Sequence, residues 1–374
     1  MTSKLRISCT VLAVALLAAS APVLAANGSP GAVYVATNAA DGNAVMAFAR
    51  RANGRLDDEP QLFPTGGLGT GTGLGNQGGV VLSSNRRLLF VVNAGSDDVS
   101  VFRVRPQGLR LLSVTPSGGE RPVSVTQHRR LLYVLNAGGA VGGEDAIAGF
   151  RIQPRGQLEF LDGSVQPLSG TSTGPAQVGF SPTGAALIVT EKATHMVTTF
   201  LVDDDGVAGP PLPQASIGQT PFGFGVARRD LVLVSEAFGG ASGASTVTAY
   251  RIDGDGLLEV VAPSVPTTET AACWVAVSKD GRFAYTTNTG SGTVSGFAID
   301  WDGGLTLLDA DGVTGMAGAG PIDMDFSEDG RFLYTLDAGD DSITAFRHRT
   351  GSGALKPRQT LAGLPDAANG LAAR

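Results

Sequence analysis

The chain has 374 residues, among them 53 Gly and 20 Pro, and only 16% of its residues are charged. A glycine at about every seventh position excludes a helical protein, since Gly costs roughly 1 kcal/mol against Ala inside a helix, and 43% hydrophobic residues exclude a disordered chain. The formal charge of −7 argues against nucleic acid or an anionic membrane surface as a partner.

Residues 1–25 read as a secretory signal. Lys4 and Arg6 give the positive start, Ile7 to Ala19 the apolar core, and Val23-Leu24-Ala25 a small-residue cleavage site. The alternative is a membrane anchor, but the apolar run is short for a span of roughly 20 residues. Cleavage would leave residues 26–374 as one exported domain, periplasmic or secreted. Loss of two basic residues would take its formal charge from −7 to −9. Cys9 would leave with the signal, and Cys273 would remain as a lone thiol, which permits no internal disulfide and no Cys-based metal site.

From residue 26 onward one unit recurs. Val or Ile followed three positions later by an aromatic appears as Val45/Phe48, Val99/Phe102, Ile147/Phe150, Val197/Phe200, Val247/Tyr250, Val294/Phe297 and Ile343/Phe346. Each copy is preceded by a β-rich run ending in a polar residue, such as Tyr133-Val134-Leu135-Asn136, and six copies carry a glycine six residues after the aromatic. Those glycines predict hairpin turns, and Ser278-Lys279-Asp280-Gly281 and Ser327-Glu328-Asp329-Gly330 predict further turns. Four strands in a repeat of about 50 residues predict an all-β, seven-bladed β-propeller with four antiparallel strands per blade. The repeat starts out of phase, at the second strand of blade one, so Gly370-Leu371-Ala372-Ala373 is expected to supply the missing inner strand and close the ring by pairing the two chain ends.

Strand parity assigns the hairpin glycines and the Ser-x-Asp-Gly turns to one face. Asp203-Asp204-Asp205-Gly206 and its relatives resemble fragments of a calcium loop, but blades two and three hold Arg105-Pro106-Gln107 and Gln153-Pro154-Arg155 there, so hairpin chemistry accounts for them better.

The opposite face carries the departures from the repeat. The column closing the second strand reads Asn38, Asn93, Asn136, Glu191, Glu236, Asn288, Asp337. Asn and Asp can fold back on the backbone as turn caps, whereas Glu is one carbon too long to do this well. Blade four adds Lys192 and His195 in the same loop, and the equivalent loops of blades three and five are lengthened by Gly-rich insertions. These residues make a candidate site in which Glu191, His195 and Glu236 are catalytic, as general acid, base or proton carrier. Lys192, Arg121, Gln77, Gln177 and Trp274 would hold the substrate. The competing readings are surface ion pairing for the charged residues and inner-strand packing for Trp274 and Cys273. No metal or cofactor is called for. Gly73-Leu74-Gly75-Asn76-Gln77-Gly78 fits a dinucleotide fingerprint and Gly170-Thr171-Ser172-Thr173-Gly174 a nucleophile elbow, but no helix is expected after either.

The runs Tyr133-Val134-Leu135-Asn136-Ala137-Gly138, Val189-Thr190-Glu191-Lys192, Cys273-Trp274-Val275-Ala276-Val277 with Asp280-Gly281-Arg282, and Gly370-Leu371-Ala372-Ala373 resemble the seven-bladed lactonase-type propeller family, which includes bacterial 6-phosphogluconolactonase and the fungal carboxymuconate lactonizing enzyme. The resemblance implies a lactonase-like propeller with Glu191-Lys192 as a subgroup feature, its substrate left open; together with the candidate site the reading is metal-independent hydrolysis or formation of a lactone of a small carboxylated compound. Relatives tend to carry a Pro-His-x-His-x-Val segment; Thr173-Gly174-Pro175-Ala176-Gln177-Val178 stands in its place with no histidine. The alternative is a non-catalytic exported propeller that binds a ligand or protein partner through its loop-rich face.

Overall fold

In the computed structural model, residues 31–374 are described, apart from Arg229. The expected signal segment, 1–25, lies outside the described residues. Seven antiparallel sheets follow one another around a central channel, each with four strands on its main path; in blades three and six a second short outer strand also pairs with the third strand. The phase shift has the predicted result. The strand Gly31–Ala36 is second in its blade, and Asn369–Ala373 pairs with it antiparallel, Val33 opposite Ala373 and Val35 opposite Leu371.

The core lies between blades. The repeated aromatic is at most 2% exposed in every copy, from Phe48 to Phe346. One apolar cluster joins Tyr133, Leu135 and Ile147 of blade three to Val178, Phe180 and Phe200 of blade four. Full burial of each such side chain contributes roughly 1.5–3 kcal/mol.

The hairpin glycines fasten neighbouring blades. Gly206 has φ +84°, and a Cβ there would lie 2.4 Å from Leu131 of the preceding blade. The Tyr133 hydroxyl donates to the Gly206 carbonyl at 2.8 Å and accepts from the Ala208 amide at 2.7 Å. Tyr285 and Tyr334 donate in the same way to Gly353 and Gly54 of the following blades. The acidic turns are hairpins as expected: Asp253 Oδ1 accepts the amides of Asp255 and Leu257.

Around the channel, inner-strand side chains substitute for the ladder that separate sheets cannot share. Gln177 brackets Phe224, accepting from its amide at 2.7 Å and donating to its carbonyl at 3.1 Å. Asp323 and Asp325 accept the amides of Leu371 and Ala373 at 2.8 and 2.9 Å, which ties blade seven to the closing strand.

Candidate functional site

Glu191 ends the strand Ala186–Glu191 and Glu236 the strand Leu231–Glu236. Both are 0% exposed. Glu191 accepts from the Ser169 amide and hydroxyl and from the hydroxyls of Thr194 (2.8 Å) and Thr198 (2.5 Å). Glu236 accepts from the Gly218 amide (2.8 Å) and from the hydroxyls of Thr246, Thr248 (2.7 Å), Ser264 (3.2 Å) and Ser216 (3.3 Å). The two carboxylates therefore lie inside their own blades, and no ligand reaches either in this conformation.

The same column explains why. Asn93 and Asn288 donate to Ser100 and Ser295, seven residues on, at 2.8 and 2.9 Å. Asp337 accepts from Thr344 at 2.6 Å. A Ser or Thr directly after the repeated Val or Ile thus faces the column, its hydroxyl accepting from Asn and donating to a carboxylate. The extra carbon of Glu carries the carboxylate further, to donors of the inter-blade segment that precedes its blade, Ser169 for Glu191 and Ser216 and Gly218 for Glu236. That Ser/Thr was legible in the sequence as the companion of the column.

Lys192 and His195 occupy the loop that follows Glu191 and diverge. The Lys192 ammonium lies 4.8 Å from the centre of the Phe222 ring, donating to the carbonyls of Gly75 and Pro175, the latter at 3.3 Å. Burial draws its pKa down to about 8, with Cys273 and Asp145 pulling it up and the positive charge of Arg121 pushing it down. His195 is exposed, with φ +57°, and its Nδ1 accepts the Thr220 amide at 2.9 Å. In the neutral form this bond leaves the proton on Nε2, so the ring presents a donor outward.

Beneath Lys192 the segment Leu74–Gly79 crosses the channel. The Gln77 amide donates to the Ala176 carbonyl at 2.9 Å, and its side chain brackets Val275, donating to the carbonyl at 2.8 Å and accepting from the amide at 3.1 Å. The Trp274 indole donates to the Asn76 carbonyl at 2.7 Å, and the Asn76 side chain reaches the Val123 carbonyl. Strands of blades three, four and six are thereby bridged, and the segment plugs the channel on the loop-rich face. Gly223 makes room: a Cβ there would stand 2.2 Å from Gln77 Oε1. The glycine run that resembled a dinucleotide fingerprint is this plug, and the strand Val80–Leu82 follows it.

Arg121 is half-buried at φ +52°, its amide on Asp97 at 2.7 Å. Neither Arg121 nor Lys192 is in an ion pair among the described residues. Asp145 is occupied by Gly139 and Thr173, which donate to it at 2.6–2.9 Å. Phe222 and Trp274 pack with ring centres 4.7 Å apart. Cys273 is buried, its thiol pushed up to about 12 by burial. Trp274 and Cys273 are thus packing residues of the inner strand. Gln77 and Gln177, expected to hold substrate, use their amides on the channel wall. No group of three or more His, Cys, Asp or Glu arranged to hold a metal occurs among the described residues. What remains at the mouth is a pair of cations beside an aromatic floor. Such a surface binds an anionic group.

Residues 233–367 match the family model described as Lactonase, 7-bladed beta-propeller. That stretch runs through blades five to seven and agrees with the resemblance read from the repeat motifs, and the chain as a whole has the seven-bladed propeller fold. Among solved structures, the periplasmic gluconolactonase of Pseudomonas aeruginosa is 19% identical, with 91% of this chain and 98% of that one covered and a TM-score of 0.67. A candidate 6-phosphogluconolactonase from Bacteroides fragilis is also 19% identical, covering 94% and 99% with a TM-score of 0.65. A protein from Lactobacillus plantarum is 18% identical, covering 92% and 99% with a TM-score of 0.70. At these identities the likeness is one of fold. No curated protein sequence matches the chain.

Proposed function

We propose that the protein is an exported lactone hydrolase, or the reverse lactonizing enzyme, acting on a small carboxylated compound. The observation that carries this reading is the pair Lys192 and Arg121, two unpaired cations at the plugged mouth of a lactonase-type propeller. In hydrolysis the oxygen of water bonds to the acyl carbon, the ring C–O bond breaks, and the departing alkoxide takes the proton. Lys192 and Arg121 hold the substrate carboxylate or the developing oxyanion, and His195 offers Nε2–H to an oxygen. Export is supported by the character of residues 1–25 and by the periplasmic origin given for the Pseudomonas neighbour.

A panel of sugar and aromatic lactones assayed with the purified protein tests the reading. Turnover that falls at least tenfold in Lys192→Met is expected; unchanged turnover in Lys192→Met and Arg121→Ala would sink the site. The enclosure of Glu191 and Glu236 favours a second reading, a non-catalytic exported propeller. It would show as ligand or protein binding without turnover of any lactone.

A further inference from the structure

Below the plug the channel is a blind cavity of about 500 Å³, bounded above by Gln77 and open toward the opposite face at the turns that hold Ser83, Ser84 and Pro182. That volume suits a small ligand. On its wall, Arg86 and Asp325 converge on one residue of the closing strand. Arg86 Nη1 donates to the Ala373 carbonyl at 3.1 Å, and Asp325 Oδ2 accepts the Ala373 amide at 2.9 Å. Their charges do not meet: no ion pair within 4 Å includes either side chain among the described residues. Through Ala373 they are at most about 10 Å apart. Asp325 Oδ1 accepts the Phe326 amide at 2.7 Å, so each of its oxygens keeps one lone pair; Arg86 keeps further N–H donors, and the Thr126 hydroxyl, which accepts from the Phe180 amide at 3.3 Å, keeps its proton.

We propose that this cavity is a binding site for a small polyhydroxy carboxylate, reached from the turn face and separate from the Lys192 mouth. The ligand carboxylate lies on Arg86 in the bidentate manner guanidinium favours, and ligand hydroxyls donate to Asp325. A molecule carrying both an anion and hydroxyl donors engages the remaining capacity of both groups, whereas a bare anion engages Arg86 alone and a neutral sugar Asp325 alone. The site stands on the channel wall alone and does not depend on lactone turnover at the other face.

Calorimetric titration of the protein with sodium gluconate, glucose and sodium sulfate tests it. Gluconate is expected to bind with Kd of about 1 mM or tighter, at least tenfold better than glucose or sulfate. Measured in a Lys192→Met background, which removes the mouth's own hold on a carboxylate, gluconate should still bind, and adding Arg86→Gln should abolish the heat. Because Arg86 also secures the closing strand, Ser84→Tyr at the exposed rim is the second variant; it blocks the mouth without touching Ala373 and should weaken gluconate at least tenfold. Sulfate binding as tight as gluconate, no gluconate binding, or unchanged affinity in Ser84→Tyr would each overturn the proposal.

Discussion

Gln77 and Val275 are joined by two hydrogen bonds across the channel although 198 residues separate them, the side-chain amide taking both the carbonyl and the amide of the strand residue. Gln77→Ala should leave two buried backbone groups without partners and lower unfolding stability by about 1–3 kcal/mol. Urea denaturation checks this, and Gly223→Ala, whose Cβ would fall on the Gln77 carbonyl oxygen, should act in the same direction.

Glu191→Gln and Glu236→Gln replace acceptors by groups that present N–H to Ser and Thr donors. Each should destabilise by about 1.5–3 kcal/mol, seen as a lower melting temperature. Near-normal kcat per folded molecule would accompany it. Turnover abolished at full stability would instead make the carboxylates catalytic.

Lys192 should set an alkaline limit. Its ammonium loses its proton near pH 8, so any step that needs the charge declines above that pH, and Lys192→Arg should move the limit upward. For folding the sign is opposite. The folded pKa lies below the unfolded value, so the unfolded chain binds more protons between about pH 8 and pH 10.5, and stability from this residue rises across that interval. Lys192→Met should flatten the rise in pH-dependent denaturation curves.

Asp337 is a carboxyl whose pKa burial raises to about 6, with Thr344 opposing the shift. Its contribution to stability is fully present below pH 3.8 and is lost as pH rises through 6. Oδ1 of Asp337 and the Ser342 hydroxyl are both buried without partners. Asp337→Asn would restore the arrangement of Asn288, whose amide donates to Thr293 and Ser295. Thermal melts at pH 7 should show a gain of about 1–3 kcal/mol that vanishes near pH 4.

The Tyr133 hydroxyl serves two partners at once. Tyr133→Phe should cost about 1–2 kcal/mol, read as a lower urea midpoint with unchanged slope.

The blade count, the hairpin glycines and the closing strand were all legible, because each depends on local turn chemistry repeated at a fixed interval. The role of Glu191 was not, because its partners Ser169 and Thr198 lie in the preceding inter-blade segment and the neighbouring strand, and a carboxylate that satisfies hydroxyls there has the same spelling as one that meets a substrate. The plug was hidden differently. Asn76 and Gln77 look like loop residues in a glycine run, and their partners in blades three, four and six are identifiable only once the ring has closed. The pairing of Asp325 with the last strand is of the same kind, set by adjacency around the ring rather than by nearness in sequence.

The pairing of Val33 with Ala373 also fixes an order of events during synthesis. At about 5–20 residues per second, the partner of Val33 is made roughly 20–70 s after it. Throughout that time the first blade exposes an unpaired edge, a template for pairing with other chains. The ring is thus a commitment that the nascent chain defers until residues 369–373 are made, and the hazard it must survive is one of timing rather than of final stability.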